Sequence, residues 1–149
     1  MKLEPDDDEI GYYAQACKRA KEKGIDADVG RLMMAAADDS DPRALYAVAT
    51  WYLFGIGRKK NFKKAAKMLR VAALAGIARA AFDLAVWFEC GKGVTRDRQA
   101  AFSLYVLAYT LGDEEGGHAI VRCMYHGIGT RKMPDFAKAI FDQRCKPHE

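Results

Sequence analysis

Apolar and small residues recur along this chain with a helical period, and the stripes they form recur every 36 residues. Ala44, Val48, Ala49 and Tyr52 are spaced four, one and three apart, which puts them on one face of a helix. The same stripe returns as Ala80, Leu84, Ala85 and Phe88, and again as Gly116, Ile120, Val121 and Met124. Each stripe runs into a G-x-G: Gly55-Ile56-Gly57, Gly91-Lys92-Gly93 and Gly127-Ile128-Gly129. A second stripe follows, carrying Ala65, Ala101 and Ala137, then Met68, Leu104 and Ile140. It continues through Ala72-Ala73 and Ala108-Tyr109 to Gly76 and Gly112. A fixed period of a few tens of residues marks a solenoid, in which each unit buries its apolar face against its neighbours.

The polar positions mark where these helices begin and end. Glycines 55, 91 and 127 can stop the first helix of each pair, since a left-handed cap is cheap only for glycine. Asn61 and Asp97 are placed to cap the second helix through a side-chain oxygen. In the last unit that position is Met133, followed by Pro134 and Asp135, so a displaced helix start is expected. A degenerate unit precedes the regular ones. Leu32 and Ala36-Ala37 lie in phase with Met68 and Ala72-Ala73, and Ile10, Tyr13, Ala14 and Cys17 make a further apolar stripe. This unit lacks G-x-G and is one residue short around 24–28. Terminal units of repeat arrays are commonly atypical. The reading gives eight helices, at 8–23, 28–38, 42–54, 61–75, 78–90, 97–111, 115–126 and 134–144. They form one domain of four units, at 8–40, 41–76, 77–112 and 113–145.

The pattern resembles the Sel-one-like repeat, a relative of the tetratricopeptide repeat. Its fullest copy is Ala80, Leu84-Ala85, Phe88, Gly91-Lys92-Gly93-Val94, Asp97 and Ala100-Ala101. The Lys-Ala step of that repeat stands at Lys64-Ala65, and its ending at Ala72-Ala73-Leu74-Ala75-Gly76. The departures are Ala85 where the family has glycine, Gly116 for the opening alanine, and His118 and Cys123 in the last unit. The resemblance covers about residues 28–141. It implies an all-α fold, a right-handed α/α superhelix of about four antiparallel helix pairs. It also implies a scaffold or adaptor function, with no catalytic or cofactor residues to carry over. Bacterial members include immunity proteins that neutralise secreted toxins, so a toxin is one partner the resemblance suggests.

In such stacks the first helices line the concave side, so their remaining phases point into a groove. One row is Tyr46, Phe82 and His118; others are Phe54, Cys90 and His126, and Leu53, Glu89 and Tyr125. Thr50, Val86 and Arg122 form a fourth, with Arg43, Arg79 and Glu115 at the mouth. Aromatic and arginine side chains are the usual anchors of protein recognition, so these rows are the candidate partner site. The competing reading is that the aromatics merely fill space between adjacent helices.

Charge adds a second candidate surface. The net charge is +4, and the loops after each G-x-G are basic: Arg58-Lys59-Lys60, Arg96 and Arg98, and Arg131-Lys132. Lys63, Lys64, Lys67 and Arg70 extend the first loop. Stacked, these loops make a positive edge that would attract an acidic protein; the alternative is a solvated rim. Nucleic acid is disfavoured, because no stacking aromatics interleave with the basic positions. The acidic start, Glu4 and Asp6-Asp7-Asp8-Glu9, suits the dipole at the opening of the first helix.

Other chemistry finds little footing. Cys123 with His126 and Cys145 with His148 are two Cys/His pairs, but zinc needs three or four converging ligands. The Cys123 position matches Trp87 one unit earlier, which argues for packing. A cysteine nucleophile with His118 or His126 as base lacks oxyanion donors. A small hydrolase or metal-dependent enzyme therefore remains only an alternative, beside a basic-edge nucleic-acid binder. No metal and no cofactor are expected. The four cysteines follow no repeat phase, so reduced thiols are expected. With no apolar run long enough to cross a membrane and no basic-apolar leader at Met1–Glu9, a cytoplasmic location is expected.

Overall fold

A computed structural model describes residues 11–144, and side chains as far as Gln143. Eight helices follow one another: α1 (Tyr12–Lys23), α2 (Ala27–Asp38), α3 (Pro42–Phe54), α4 (Phe62–Leu74), α5 (Ala78–Cys90), α6 (Arg98–Thr110), α7 (Glu114–His126) and α8 (Pro134–Arg144). The main helix–helix packing runs between chain neighbours, giving an all-α superhelix of stacked pairs. Seven of the eight helices match the sequence reading to within about a residue. The expected opening of the first helix at residue 8, Ile10 and the acidic start lie outside the described residues. Gly11, just inside them, is the N-cap of α1.

The local signals act as their chemistry requires. Gly55, Gly91 and Gly127 end α3, α5 and α7 with φ of 72°, 76° and 73°, in the left-handed region. Asn61 accepts from the Lys64 backbone N–H and Asp97 from that of Ala100. The last unit corrects one expectation: α8 is not displaced. It begins at Pro134, in phase with Phe62 and Arg98. The reason lies in the backbone just before it. The Asn61, Asp97 and Met133 N–H groups donate to the Tyr52, Phe88 and Met124 carbonyls, at 3.0, 2.9 and 2.7 Å. This turn needs no particular side chain, and proline at the first helical position suits it.

Small residues set how closely the helices approach. Ala44, Ala65, Ala72, Ala80, Ala101, Ala108 and Ala137 are all 0% exposed. At Gly116 even a methyl group is excluded. A Cβ there would lie 2.8 Å from the Tyr109 backbone nitrogen and 2.9 Å from the Tyr105 carbonyl oxygen. The departure from alanine therefore lets α7 settle on α6. Ala80→Leu should overpack the corresponding contact and cost about 1–3 kcal/mol. Thermal unfolding checks this, and an unchanged melting temperature would contradict the register.

Two expected stripe positions are corrected. Ala14 is exposed, and Ala16 is the fully buried residue of α1, packing beneath Tyr13 and Ala20 in the first core cluster. Tyr109 is 47% exposed, one position past the fully buried Ala108, so its side chain falls outside the buried stripe of α6. The phase that carries Leu69 and Tyr105, both 2% exposed, instead fills the space between units.

Candidate functional site

The first helices α3, α5 and α7 stand side by side, so side chains about one repeat apart meet. The Tyr46 hydroxyl donates to Asp83 at 3.0 Å, and Arg79 donates to Glu115 at 3.0 Å. Arg79 also pairs with Asp83 at 3.4 Å and lies over the Phe82 ring at 4.8 Å. Arg122 grips Glu89 with two hydrogen bonds of 2.8 and 2.7 Å, and the Tyr105 hydroxyl donates to the same carboxylate at 2.7 Å. Phe82 packs obliquely on Tyr105, with ring centroids 5.4 Å apart.

The electrostatics follow from burial and pairing. Burial pushes the Tyr46 hydroxyl up to about 12, and the adjacent Asp83 charge acts in the same direction. Burial also raises Asp83, against the Tyr46 hydrogen bond and the Arg79 charge that pull it down. The Arg122 hydrogen bonds, and then that of Tyr105, hold Glu89 below the usual carboxylate range. The Cys123 thiol is raised by burial.

These ties divide the expected groove residues. Tyr46, Arg79, Glu89 and Arg122 serve as links between units, and Phe82 packs within its own unit on Tyr105. Thr50 turns its hydroxyl back to the Ala47 carbonyl at 2.6 Å, and Arg43 bonds Asp41 while covering the Tyr13 ring at 4.2 Å. Phe54, Cys90, His118, Tyr125 and His126 are exposed, whereas Leu53 and Val86 are half-buried. Two clefts open on this side. One, of about 490 Å³, lies between α5 and α7 and includes Phe82, Val86, Glu89, Cys90 and Tyr105. The other, of about 330 Å³, lies between α7 and α8 and includes Val121, Tyr125, His126, Lys138 and Phe141. Both are lined by His118 and Arg122, so the two form one strip.

Sequence reasoning missed Asp83, Tyr105 and Phe141. Asp83 had a signal: it is a carboxylate in a row whose other members are Ala47 and Ala119. Tyr105 and Phe141 had none, since they lie on second helices that were assigned wholly to packing.

The basic loops are less uniform than their sequence. Arg58 is half-buried; its guanidinium lies 5.5 and 5.0 Å from the Trp51 and Tyr52 rings and reaches the Met34 sulfur. Lys60, Arg96 and Lys132 run their stems across Gly55, Gly91 and Gly127. All three are exposed, as are Lys59, Arg98 and Arg131. Cys17, Cys90 and Cys123 are free thiols. Cys123 is fully buried at the position Trp87 occupies one unit earlier. Among the described residues no group of three or more His, Cys, Asp or Glu side chains is placed to hold a metal ion, and no helix is long and apolar enough to cross a membrane. Cys145 and His148 lie outside the described residues.

Comparison with known proteins agrees with this architecture. The Sel1 repeat model matches residues 42–77, 78–113 and 117–141. No curated protein matches the chain. A Sel1 repeat protein from Oxalobacter formigenes superposes with a TM-score of 0.82 at 22% identity, over 95% of this chain and 60% of that one. c5321, a protective antigen of uropathogenic Escherichia coli strains, gives 0.79 at 18% identity, over 91% of this chain and 30% of that one. Helicobacter pylori cysteine rich protein B gives 0.64 at 19%, over 70% and 79%. At these identities the structures share the fold, and this chain spans less than two thirds of the first two. Sel1 repeats are generally protein–protein interaction modules and typically non-catalytic. With three repeat matches across well over half of its length, the chain belongs to the Sel1 repeat family.

Proposed function

We propose that this protein is a non-catalytic adaptor that holds a protein or peptide partner on the exposed face of α5 and α7. The observation that carries the reading is the strip joined at His118 and Arg122. It offers the exposed ring of Tyr125 and the half-buried Val86 and Val121, set between fixed charges. Arg79, Glu89 and Arg122 are already paired inside the protein, so a partner meets a preorganised surface and little side-chain ordering remains to oppose binding. The test is affinity capture from the host lysate with wild type beside a His118→Ala, Tyr125→Ala variant. Both side chains are exposed, so the variant should keep its melting temperature and lose the captured partner. Capture of the same partner by both proteins would reject this face.

The finer form of the proposal is a cytoplasmic protein that neutralises a toxin. It rests on the helical-repeat fold, which presents a surface for a partner, and on the resemblance to a repeat family that includes immunity proteins. Co-expression with a cognate toxin should yield a soluble, inactive complex. A toxin that stays active and unbound would remove this form and leave the adaptor reading standing.

A further inference from the structure

A second surface lies away from the α5–α7 strip, on the outer side of α4. Every charged residue between Asp41 and Asp83 is a cation. The net charge of the whole chain is only +4, so this segment is strongly positive against an acidic remainder. Helix α4 carries Lys63, Lys64, Lys67 and Arg70 and no acidic residue. Lys64 turns toward the Tyr52 ring, 4.7 Å away, and Arg70 lies over Phe88 at 5.8 Å. Lys63, Lys67 and Arg70 line a cleft of about 780 Å³ with Ala66, Val71 and Val94. No ion pair involves these three cations among the described residues.

Folding alone disfavours this arrangement. Lys63 and Lys67 are like charges four apart on one helix, which destabilises it. Lys63 and Lys64 sit in the first turn of α4, where the helix dipole favours carboxylates. Carboxylates do open α2, at Asp28, and α7, at Glu114 and Glu115, whereas α3, α5 and α6 have none in their first turn and only α4 puts two lysines there. A local rule broken without internal compensation points to a role outside the fold.

We propose that this cleft binds an acidic polypeptide segment that carries an aliphatic side chain. Its carboxylates pair with Lys63, Lys67 and Arg70, and the aliphatic group enters between Val71, 48% exposed, and Val94. The cleft has no aromatic lining on which a base could stack, which favours polypeptide over single-stranded nucleic acid.

The test is fluorescence anisotropy of the full chain with a labelled Asp-Glu-Leu-Asp-Glu-Val-Asp-Glu peptide. Controls are its Asn/Gln counterpart and a labelled oligo-thymidine. The acidic peptide should bind and release as salt rises. A Lys63→Glu, Lys67→Glu variant should bind about tenfold more weakly, as for loss of two exposed charge pairs. Its melting temperature should rise by about 2–4 °C as the repulsion and dipole conflict are relieved. Val94→Ser should weaken binding with charge unchanged. Equal binding of the neutral peptide, tighter binding of the oligonucleotide, an unaltered affinity in the charge-reversed variant, or no binding at low salt would each overturn the proposal.

Discussion

Gly129→Ala is expected to be the most damaging single-methyl change in this protein, at a cost of about 3–4 kcal/mol, while Gly57→Ala costs about 1–2 kcal/mol. Both glycines are the second of their G-x-G, with φ of +65° and +64°, so alanine meets the same left-handed strain at each. The surroundings differ. A Cβ on Gly129 would lie 1.8 Å from the Arg98 carbonyl oxygen, a backbone atom at the start of α6 that cannot swing aside. A Cβ on Gly93 would meet the Phe62 backbone at 2.8 Å, at the matching point of α4. At Gly57 nothing lies within 4 Å, so an added Cβ meets no backbone of the degenerate preceding unit. The G-x-G motif thus has two tasks. Its first glycine ends a helix, and its second, at Gly93 and Gly129, lets the unit close on the start of the previous unit's second helix. Thermal or urea unfolding of the two variants checks this. The Gly129 variant should lose about 10 °C. Equal losses at both sites would mean that backbone strain alone explains the motif.

Removing Glu89 should cost about 2 kcal/mol and make the protein less sensitive to acid. Its carboxylate accepts from Tyr105, whose side chain is 2% exposed, and from Arg122. Arg122 is 43% exposed, so its share is screened by water, and most of the cost comes from the Tyr105 hydroxyl left without a partner. The pH sign follows from the lowered Glu89 pKa. The carboxylate stabilises the fold above its unfolded-state value of about 4.5, and that contribution fades as pH falls through the lower folded-state value. Asp83 acts in the opposite sense. Burial raises its pKa, so its charge costs stability at neutral pH and the cost is relieved on acidification. Unfolding of wild type and Glu89→Ala from pH 7 to pH 3 should show a gap that is widest at neutral pH and narrows in acid, to the part supplied by the Tyr105 hydrogen bond, which a neutral carboxyl still accepts. A gap independent of pH would place the contribution in packing.

The parts of the fold that were readable are those the sequence repeats. Three copies of one pattern fixed the bounds of α3 to α8, since a feature ambiguous in one unit is resolved by the others. Met133 and Pro134 misled because a side-chain cap was sought where a backbone hydrogen bond repeats instead. In α1, Ala14 was placed inward without a second copy to correct it. The candidate site was readable only in part, for the same reason. Tyr46, Phe82 and Arg122 were found through their phase. That they are tied to Asp83, Tyr105 and Glu89 depends on contacts between helices, within a unit for Phe82 and across units for the other two, which a period does not reveal.

The partner-binding account is tested most directly by thiol alkylation of the protein, free and bound to its captured partner, resolved by residue. Cys90 is exposed and lines the α5–α7 cleft, whereas Cys123 is buried. The account predicts that the partner slows alkylation of Cys90 while that of Cys17, on α1, is unchanged. A Cys90 that reacts at the free rate in the complex would contradict it.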